Sequence, residues 1–331
     1  MIICQTPLRI SFAGGGTDIP EFYREHGGAV LTSTINKYVF IIVNDRFESG
    51  VSVNYYQNEV VSSVEELKHD LVREALLITN VRDGVNVVTM SDVPAWGSGL
   101  GSSGALTVGI LNALFLYQGV QHSPEFLAEK ACEIEIQRLG RPIGKQDQYA
   151  CAFGNFNYIT FGPDEDVKVR PVKLSEKARA GLEDSLLLVY SGIGRDAGHI
   201  LREQRENIPQ KAGTLEQMKG QAQEARKCLE EGRLDDLGRL LHEAWRLKKS
   251  LATVITNQVI DEVYECARSA GALGGKVLGA GGGGFLLFYC AQGTREMVRK
   301  ALKDYRTLSF RFVANGSRVL FLPEEVSEKG S

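Results

Sequence analysis

Residues 94–104, Pro-Ala-Trp-Gly-Ser-Gly-Leu-Gly-Ser-Ser-Gly, run directly into an apolar stretch from Ala105 to Tyr117. This junction constrains the fold more than any other part of the chain. The stretch lacks proline and repeats Leu106, Ile110, Leu111 and Leu114 at helical spacing, which predicts a helix. Gly97, Ser98, Gly99, Leu100, Gly101, Ser102, Ser103 and Gly104 then form a turn at its N-terminus. Free N–H groups point outward from such a turn, the helix dipole is positive there, and missing Cβ atoms admit phosphate oxygens to the backbone. The junction therefore predicts a phosphorylated ligand, most simply a nucleotide.

Other readings of the junction fit less well. Gly99-x-Gly101-x-x-Gly104 satisfies the dinucleotide fingerprint, but that motif needs a strand running straight into the glycines and an acid about 20 positions on. Here Asp92 to Trp96 separate the predicted strand Val85 to Met90 from the loop, and Glu125 opens another helix. A P-loop ending Gly-Lys-Ser/Thr is absent. A purely structural turn is the remaining alternative.

At 331 residues the chain predicts two domains sharing a cleft. A net charge of −3 and no basic run give no reason to expect nucleic acid or a membrane surface. Six scattered cysteines without a Cys-x-x-Cys pair read as buried reduced thiols, and five isolated histidines argue against zinc. With no leader pattern and no 18-residue apolar span, the expected compartment is the cytoplasm.

Strand-like runs cover Ile2 to Phe12, Ala29 to Thr34, Tyr38 to Asn44 and Gly50 to Tyr55. A polar helix is expected over Val64 to Thr79, and a second one from Ser123-Pro124 to about Leu139. A hairpin is expected at Phe156 to Phe161 and Val167 to Val172, and a strand at Leu186 to Tyr190. From Ala197 to Ala270 the chain reads as helical, interrupted at Pro209, Gly213 and Gly232. Strands return at Lys276 to Leu278, Phe285 to Cys290 and Arg318 to Leu322. The predicted class is α+β.

Three further places could carry chemistry. In Pro7 to Asp18, Arg9 is a guanidinium in an apolar strand, Gly14, Gly15 and Gly16 allow close backbone approach, and Thr17 and Asp18 offer acceptors for sugar hydroxyls. The bland reading of Asp18 is a helix cap. On the helix Phe126 to Leu139, Glu135 falls near the centre of the apolar face, while Glu133 lies among polar residues. A buried carboxylate there needs a metal or a cation such as Arg138 or Arg141. Twelve residues on, Asp147 sits in Gly-Lys-Gln-Asp-Gln, where it could cap a helix or do chemistry. Lastly, Lys276 to Phe285 holds Gly279 and Gly281 to Gly284 between two apolar runs, a pattern expected where backbone must approach something closely.

Pro7 to Asp18, Pro94 to Ala105 and Lys276 to Phe285, in that order, resemble the three motifs of the GHMP kinases, named for galactose, homoserine, mevalonate and phosphomevalonate. Arg-Ile-Ser-Phe-Ala-Gly-Gly-Gly-Thr-Asp and Gly-Lys-Gln-Asp-Gln-Tyr-Ala are most similar to the branch of D-glycero-D-manno-heptose 7-phosphate 1-kinases, with fucokinases next. Galactokinases carry Gly-Glu-His-Thr-Asp where this chain has Gly14 to Asp18, which argues against galactose.

The resemblance implies a ribosomal-protein-S5-like N-terminal ATP-binding domain over 1–180. It also implies a ferredoxin-like C-terminal domain with extra helices over 181–331. It implies that Gly97 to Ser103 wrap the ATP phosphates, that Ser103 and Glu135 hold Mg2+, and that Asp147 and Arg9 are catalytic. Gly15, Gly16, Thr17 and Asp18 would hold the sugar, with Gly281, Gly282 and Gly283 closing the phosphate end of the cleft. The implied reaction phosphorylates the anomeric hydroxyl of a heptose 7-phosphate, with Arg24, Arg141, Lys145 and Arg195 as unranked candidates for its 7-phosphate. A fucose-type free-sugar kinase and a non-catalytic sugar- and ATP-binding regulator are the alternatives.

Overall fold

The computed structural model describes residues 1–94, 97–194 and 197–322. The long apolar strand expected at the start is β1, Ile2–Ala13. Helix α1, Pro20–His26, follows the first glycine turn. The two strands expected at Ala29 to Thr34 and Tyr38 to Asn44 are one continuous strand, β2, Gly28–Asp45. Asn36 and Lys37 look like a turn in the sequence. The Asn36 N–H is held by Arg311 O at 2.8 Å, and pairing with β1 runs from both sides of that point, so the strand continues.

Strands β3, Val51–Asn54, and β4, Asn58–Val61, make a hairpin of which only the first arm was expected. The helix expected over Val64 to Thr79 is split into a short 3-10 turn at Val64–Glu66 and α2, Asp70–Ile78. The split has a physical cause. The Glu59 carboxylate accepts from the N–H groups of Lys68 (2.6 Å) and His69 (3.1 Å), and the His69 ring caps Val72 N, so the backbone leaves helix there.

Strand β5, Val85–Ser91, leads through the glycine loop to α3, Ser102–Tyr117, which begins three residues earlier than its apolar run. Helix α4, Pro124–Cys132, is capped by Ser123 Oγ, which accepts from Phe126 N at 3.2 Å. Residues Glu133–Arg138 continue it as a π-helical turn. Helix α5, Gln146–Phe153, and the hairpin β6, Phe156–Phe161, and β7, Val167–Pro171, complete the first half.

The second half opens with α6, Glu176–Ser185, which reads in the sequence only as a charged connector, and β8, Leu186–Tyr190. Helix α7, Ala197–Glu230, runs unbroken through Pro209 and Gly213, where interruptions were expected. Ile208, Leu215 and Met218 are buried on either side of these breakers, so tertiary packing outweighs local propensity. The break at Gly232 is real, and α8, Leu234–Lys249, follows it. After α9, Gln258–Ser269, come β9, Ala272–Val277, β10, Phe285–Cys290, α10, Arg295–Ala301, β11, Thr307–Leu308, and β12, Arg318–Phe321.

Two sheets result. The first runs β12-β1-β2-β5-β3-β4, with β6 on the other end of β2 and β7 beyond it; only β3 and β5 pair in parallel. The second is the antiparallel sheet β11-β8-β10-β9. This is an α+β architecture. Strand β12 returns from the end of the second half to the edge of the first sheet, pairing Gln5 with Arg318. Among the described residues, no helix is long and apolar enough to cross a membrane. All six cysteines are free thiols.

Candidate active site

The N-termini of α3 and α5 converge beside the end of β1. Gly101 caps α3 in the left-handed region (φ 77°), with no side-chain cap, so the first N–H groups of the helix are left for a ligand or water. Contact between the two helices is backbone-tight: a Cβ on Gly104 would lie 2.9 Å from that of Asp147. Ser98 Oγ lies 2.8 Å from Ser102 Oγ and accepts from Leu100 N at 3.3 Å, which bends the loop back on itself. Gly97 to Ser103 therefore form one folded turn ahead of α3. Ala95 and Trp96 lie outside the described residues.

Arg9, only 2% exposed, projects from β1 into this junction. Its Nε and Nη2 donate to the two oxygens of Asp147, each at 2.7 Å, and Nη1 donates to Gly99 O at 2.6 Å. The fork fixes the Asp147 carboxylate in both position and plane. Asp147 lies inside the first turn of α5 and does not cap it; its side chain keeps about a quarter of its surface exposed. Gln146 Nε2 also donates to Asp147 Oδ1 at 3.2 Å, while Gln146 Oε1 accepts from Ser11 Oγ at 2.8 Å.

Asp18 does not cap its own helix: the N-cap of α1 is Ile19, without a side-chain bond. Its carboxylate reaches instead to Gly16 N and to Gln146 N, both at 3.0 Å, and so joins the first glycine turn to the start of α5. Burial raises the Asp18 carboxyl above its ordinary range, and the Gln146 and Gly16 amides oppose that shift. Thr17 is fully buried and serves the turn itself, with its hydroxyl donating to Gly14 O and Ala29 O at 2.9 Å.

Glu135 is completely buried, as its place on the apolar face predicts. The turn carrying it is π-helical, a form frequent at functional sites. Gln148 Nε2 donates to Oε1 at 2.9 Å, Arg141 Nη1 to Oε2 at 3.2 Å, and the Ser103 hydroxyl also bonds the carboxylate. Burial pushes its pKa up from the ordinary carboxylate value, with Arg141, Ser103 and Gln148 pulling it down. Arg138 is not its partner; it pairs with Glu133 and Glu74.

A divalent cation can be tested against this donor set. No three side chains of His, Cys, Asp and Glu converge among the described residues. Beside the buried Glu135 carboxylate lie the Ser103 hydroxyl and the fully buried Gln148, whose Oε1 has no hydrogen-bond partner among the described residues. Such hard oxygen donors, few in number, fit Mg2+ shared with phosphates and water.

The third glycine run touches the second. A Cβ on Gly99 would lie 2.4 Å from Leu278 O and one on Gly284 would lie 2.4 Å from Gly97 O; Phe285 N donates to Ser98 O at 3.0 Å. Gly281 packs on Ile255, the Gly282 N–H is taken by Ile255 O at 2.7 Å, and Gly283 packs on Ile193. The run thus ties the nucleotide-type loop to the second sheet.

Three side chains near the site are not flagged by sequence reasoning. Gln146 and Gln148 flank Asp147 in the motif string and are legible there only in hindsight. Lys276, 3% exposed, reaches across from β9 to Phe12 O (3.3 Å), and burial together with nearby Arg9 lowers its pKa to about 7. Of the cations considered for a substrate phosphate, Arg24 and Lys145 both pair with Glu165 (2.7 and 2.5 Å), and Arg141 pairs with Glu135 and Asp70. Arg195 lies outside the described residues.

Residues 58–155 match the family described as the GHMP kinases N terminal domain, and residues 225–306 match GHMP kinases C terminal. A D-glycero-alpha-D-manno-heptose 7-phosphate kinase of Campylobacter jejuni is 33% identical, covering 90% of this chain and 92% of that one. The chain belongs to the GHMP kinase family. It is a phosphotransferase with the family's two-domain fold, and the family draws its phosphoryl group from ATP. A solved D-glycero-D-manno-heptose 1-phosphate kinase from Bacteroides thetaiotaomicron is 27% identical with a TM-score of 0.80, covering 98% of this chain and 100% of that one. A bifunctional fucokinase/GDP-fucose pyrophosphorylase of Arabidopsis thaliana is 26% identical over 91% of this chain, which spans 31% of that longer enzyme.

Proposed function

We propose that this kinase transfers the γ-phosphoryl group of ATP to the anomeric hydroxyl of D-glycero-D-manno-heptose 7-phosphate, giving the 1,7-bisphosphate for nucleotide-activated heptose synthesis. The substrate class is supported by the Campylobacter jejuni relative. The single observation that carries the chemistry is the Asp147 carboxylate, clamped by both sides of the Arg9 fork between two helix N-termini.

In this reading Asp147 accepts the proton of the C1 hydroxyl as that oxygen bonds the γ-phosphorus and the bond to the β-phosphate oxygen breaks. A hemiacetal hydroxyl is more acidic than an ordinary alcohol, which eases that transfer. Arg9 holds the base in line and offsets developing negative charge. Gly97 to Ser103 hold the triphosphate with loop and helix N–H groups, and Gly281 to Gly283 close the same end of the cleft. Gly15, Gly16 and Asp18 hold the sugar, and Thr17, fully buried with its hydroxyl committed to Gly14 and Ala29, braces that turn instead. Ser103 and Glu135 would hold Mg2+, which supplies charge neutralisation on the phosphates when bound. Catalysis here is mostly positioning and electrostatics.

The boundary near 180 is part of the same proposal: residues 1–180 form the N-terminal ATP-binding domain and 181–331 the C-terminal domain, whose last strand, β12, returns to the first sheet. The free thiols and the need for ATP favour a cytoplasmic setting.

One observation favours a second reading, a fucose-type kinase for an unphosphorylated sugar. Arg24, Lys145 and Arg141 are each already matched to a carboxylate, so a substrate phosphate would have to displace Glu165 or Asp70 from them. Magnesium-dependent ADP release, measured with the heptose 7-phosphate against the free heptose and fucose, separates the two. Turnover confined to the phosphorylated sugar supports the first reading; equal or better turnover of a free sugar replaces it with the second.

A further inference from the structure

The second half of the chain places one buried cation beside the reacting groups. Lys276 lies near the end of β9, and the chain continues through Leu278, whose carbonyl packs on Gly99. The lysine side chain crosses to the end of β1. Pairing of β1 with β2 skips Phe12, between Ser11 opposite Thr32 and Ala13 opposite Leu31, and Lys276 Nζ donates to the Phe12 carbonyl at 3.3 Å. An ammonium has three donors, and this is the one bond Lys276 makes among the described residues.

The charge that bears on it is Arg9, of the same sign. On α5, Asp147 is taken up by both arms of Arg9. On α8, Asp235 accepts from Tyr289 Oη at 2.9 Å, Lys248 donates to Val277 O at 3.5 Å, and His242 bonds Tyr264. On α9, Asp261 pairs with Lys249, and Arg268 donates to Ala272 O. Two buried cations therefore stand against one carboxylate, which is costly unless an anion arrives. Arg9 Nη1 bonds Gly99 O, so the excess charge sits directly behind the loop that leads into α3, where the free helix amides also favour an anion.

We propose that Lys276 is a positioning residue of the phosphoryl-transfer site, whose buried ammonium gives the Arg9–Asp147 pair one excess positive charge for the γ-phosphate of ATP to balance. It acts through Arg9 and the local field and touches neither substrate. This inference rests on the nucleotide reading of residues 97–103 and is independent of which sugar is the acceptor.

A proton count follows from linkage. Burial and Arg9 hold the Lys276 pKa at about 7 in the free protein, so at pH 8 about a tenth of the lysine is charged. Arrival of an anion favours the ammonium. A tenfold gain in proton affinity leaves about half of it charged, an uptake of about 0.4 proton per nucleotide bound.

The test is titration calorimetry of the full chain at pH 8 with the magnesium complex of a non-hydrolysable ATP analogue, in HEPES and in Tris. The two buffers differ in ionisation enthalpy, so the difference in heat counts protons. The wild type should take up about 0.4 proton more than Lys276→Met, a difference in which the ligand and all other groups cancel. With magnesium ADP, which lacks the γ-phosphate, that difference should fall by at least about half. Equal uptake by the two proteins overturns the proposal, as does an equal difference for ADP and the triphosphate. Should Lys276→Met fail to fold, the wild type alone decides. It should take up more protons at pH 8 than at pH 6, where the lysine is already charged, and no greater uptake at pH 8 overturns the proposal. No sugar is present, so a wrong heptose assignment leaves this result standing. A wild type that binds no nucleotide overturns both the proposal and the reading of the loop.

Discussion

Replacing Lys276 by methionine should change how stability responds to pH, in a direction and size set by its surroundings. The ammonium is buried, bonds only Phe12 O among the described residues, and sits near the Arg9 guanidinium, so its pKa falls from 10.5 to about 7. Below pH 7 the lysine is charged in both folded and unfolded chains, and the folded state bears the full cost of the buried charge. Between 7 and 10.5 the folded chain has released the proton while the unfolded chain still holds it, so wild-type stability rises with pH across that window. At about 1.36 kcal/mol per pH unit the whole window is worth up to about 5 kcal/mol, of which about half falls between pH 6 and 9. Methionine has nothing to titrate. Urea unfolding of both proteins at pH 6, 7, 8 and 9, followed by tryptophan fluorescence, isolates the effect as a difference in which all other groups cancel. The variant should be relatively more stable at pH 6, and its advantage should shrink by roughly 2–3 kcal/mol by pH 9. A difference that stays flat over that range would refute the reasoning and give Lys276 an ordinary acidity.

Asp147→Asn should lower kcat by about 10²- to 10⁴-fold with nucleotide affinity kept, read by ADP release and calorimetry; near-normal turnover would remove the base assignment. It should also lower Tm, since Arg9 is left buried without a charge partner. Glu135→Gln should raise the Mg2+ concentration needed for half-maximal turnover several-fold. Unchanged metal dependence would leave Glu135 as the partner of Arg141 alone. Gly104→Ala forces a methyl to 2.9 Å from the Asp147 Cβ, and should cost about 1–3 kcal/mol of stability in urea and at least about tenfold in kcat. A fully active, fully stable Gly104→Ala protein would mean that the α3–α5 contact does not set the geometry of the base.

Much of this arrangement is legible in the residues. Glu135 stands out because an apolar helix face predicts burial, and burial of a carboxylate predicts partners; the structure supplies Arg141, Gln148 and Ser103. The loop 97–104 is legible as a turn ahead of a helix because closely spaced glycines precede an apolar run. What escapes the sequence is set by distant packing. Pro209 and Gly213 punctuate α7 locally, but buried neighbours carry the helix through them. Asn36 looks like a turn until Arg311 supplies its partner. The cap reading of Asp18 fails for the same reason, since its partner is the start of α5 and not its own helix.

The most direct test of the central claim is the site at which the phosphoryl group lands. Phosphorus NMR of a reaction containing this protein, ATP, Mg2+ and D-glycero-D-manno-heptose 7-phosphate should show ADP together with a new sugar phosphate signal coupled to the anomeric proton, beside the unchanged 7-phosphate signal. ADP without that signal, a phosphate on any other hydroxyl, or no consumption of the heptose while ATP still binds would contradict the account.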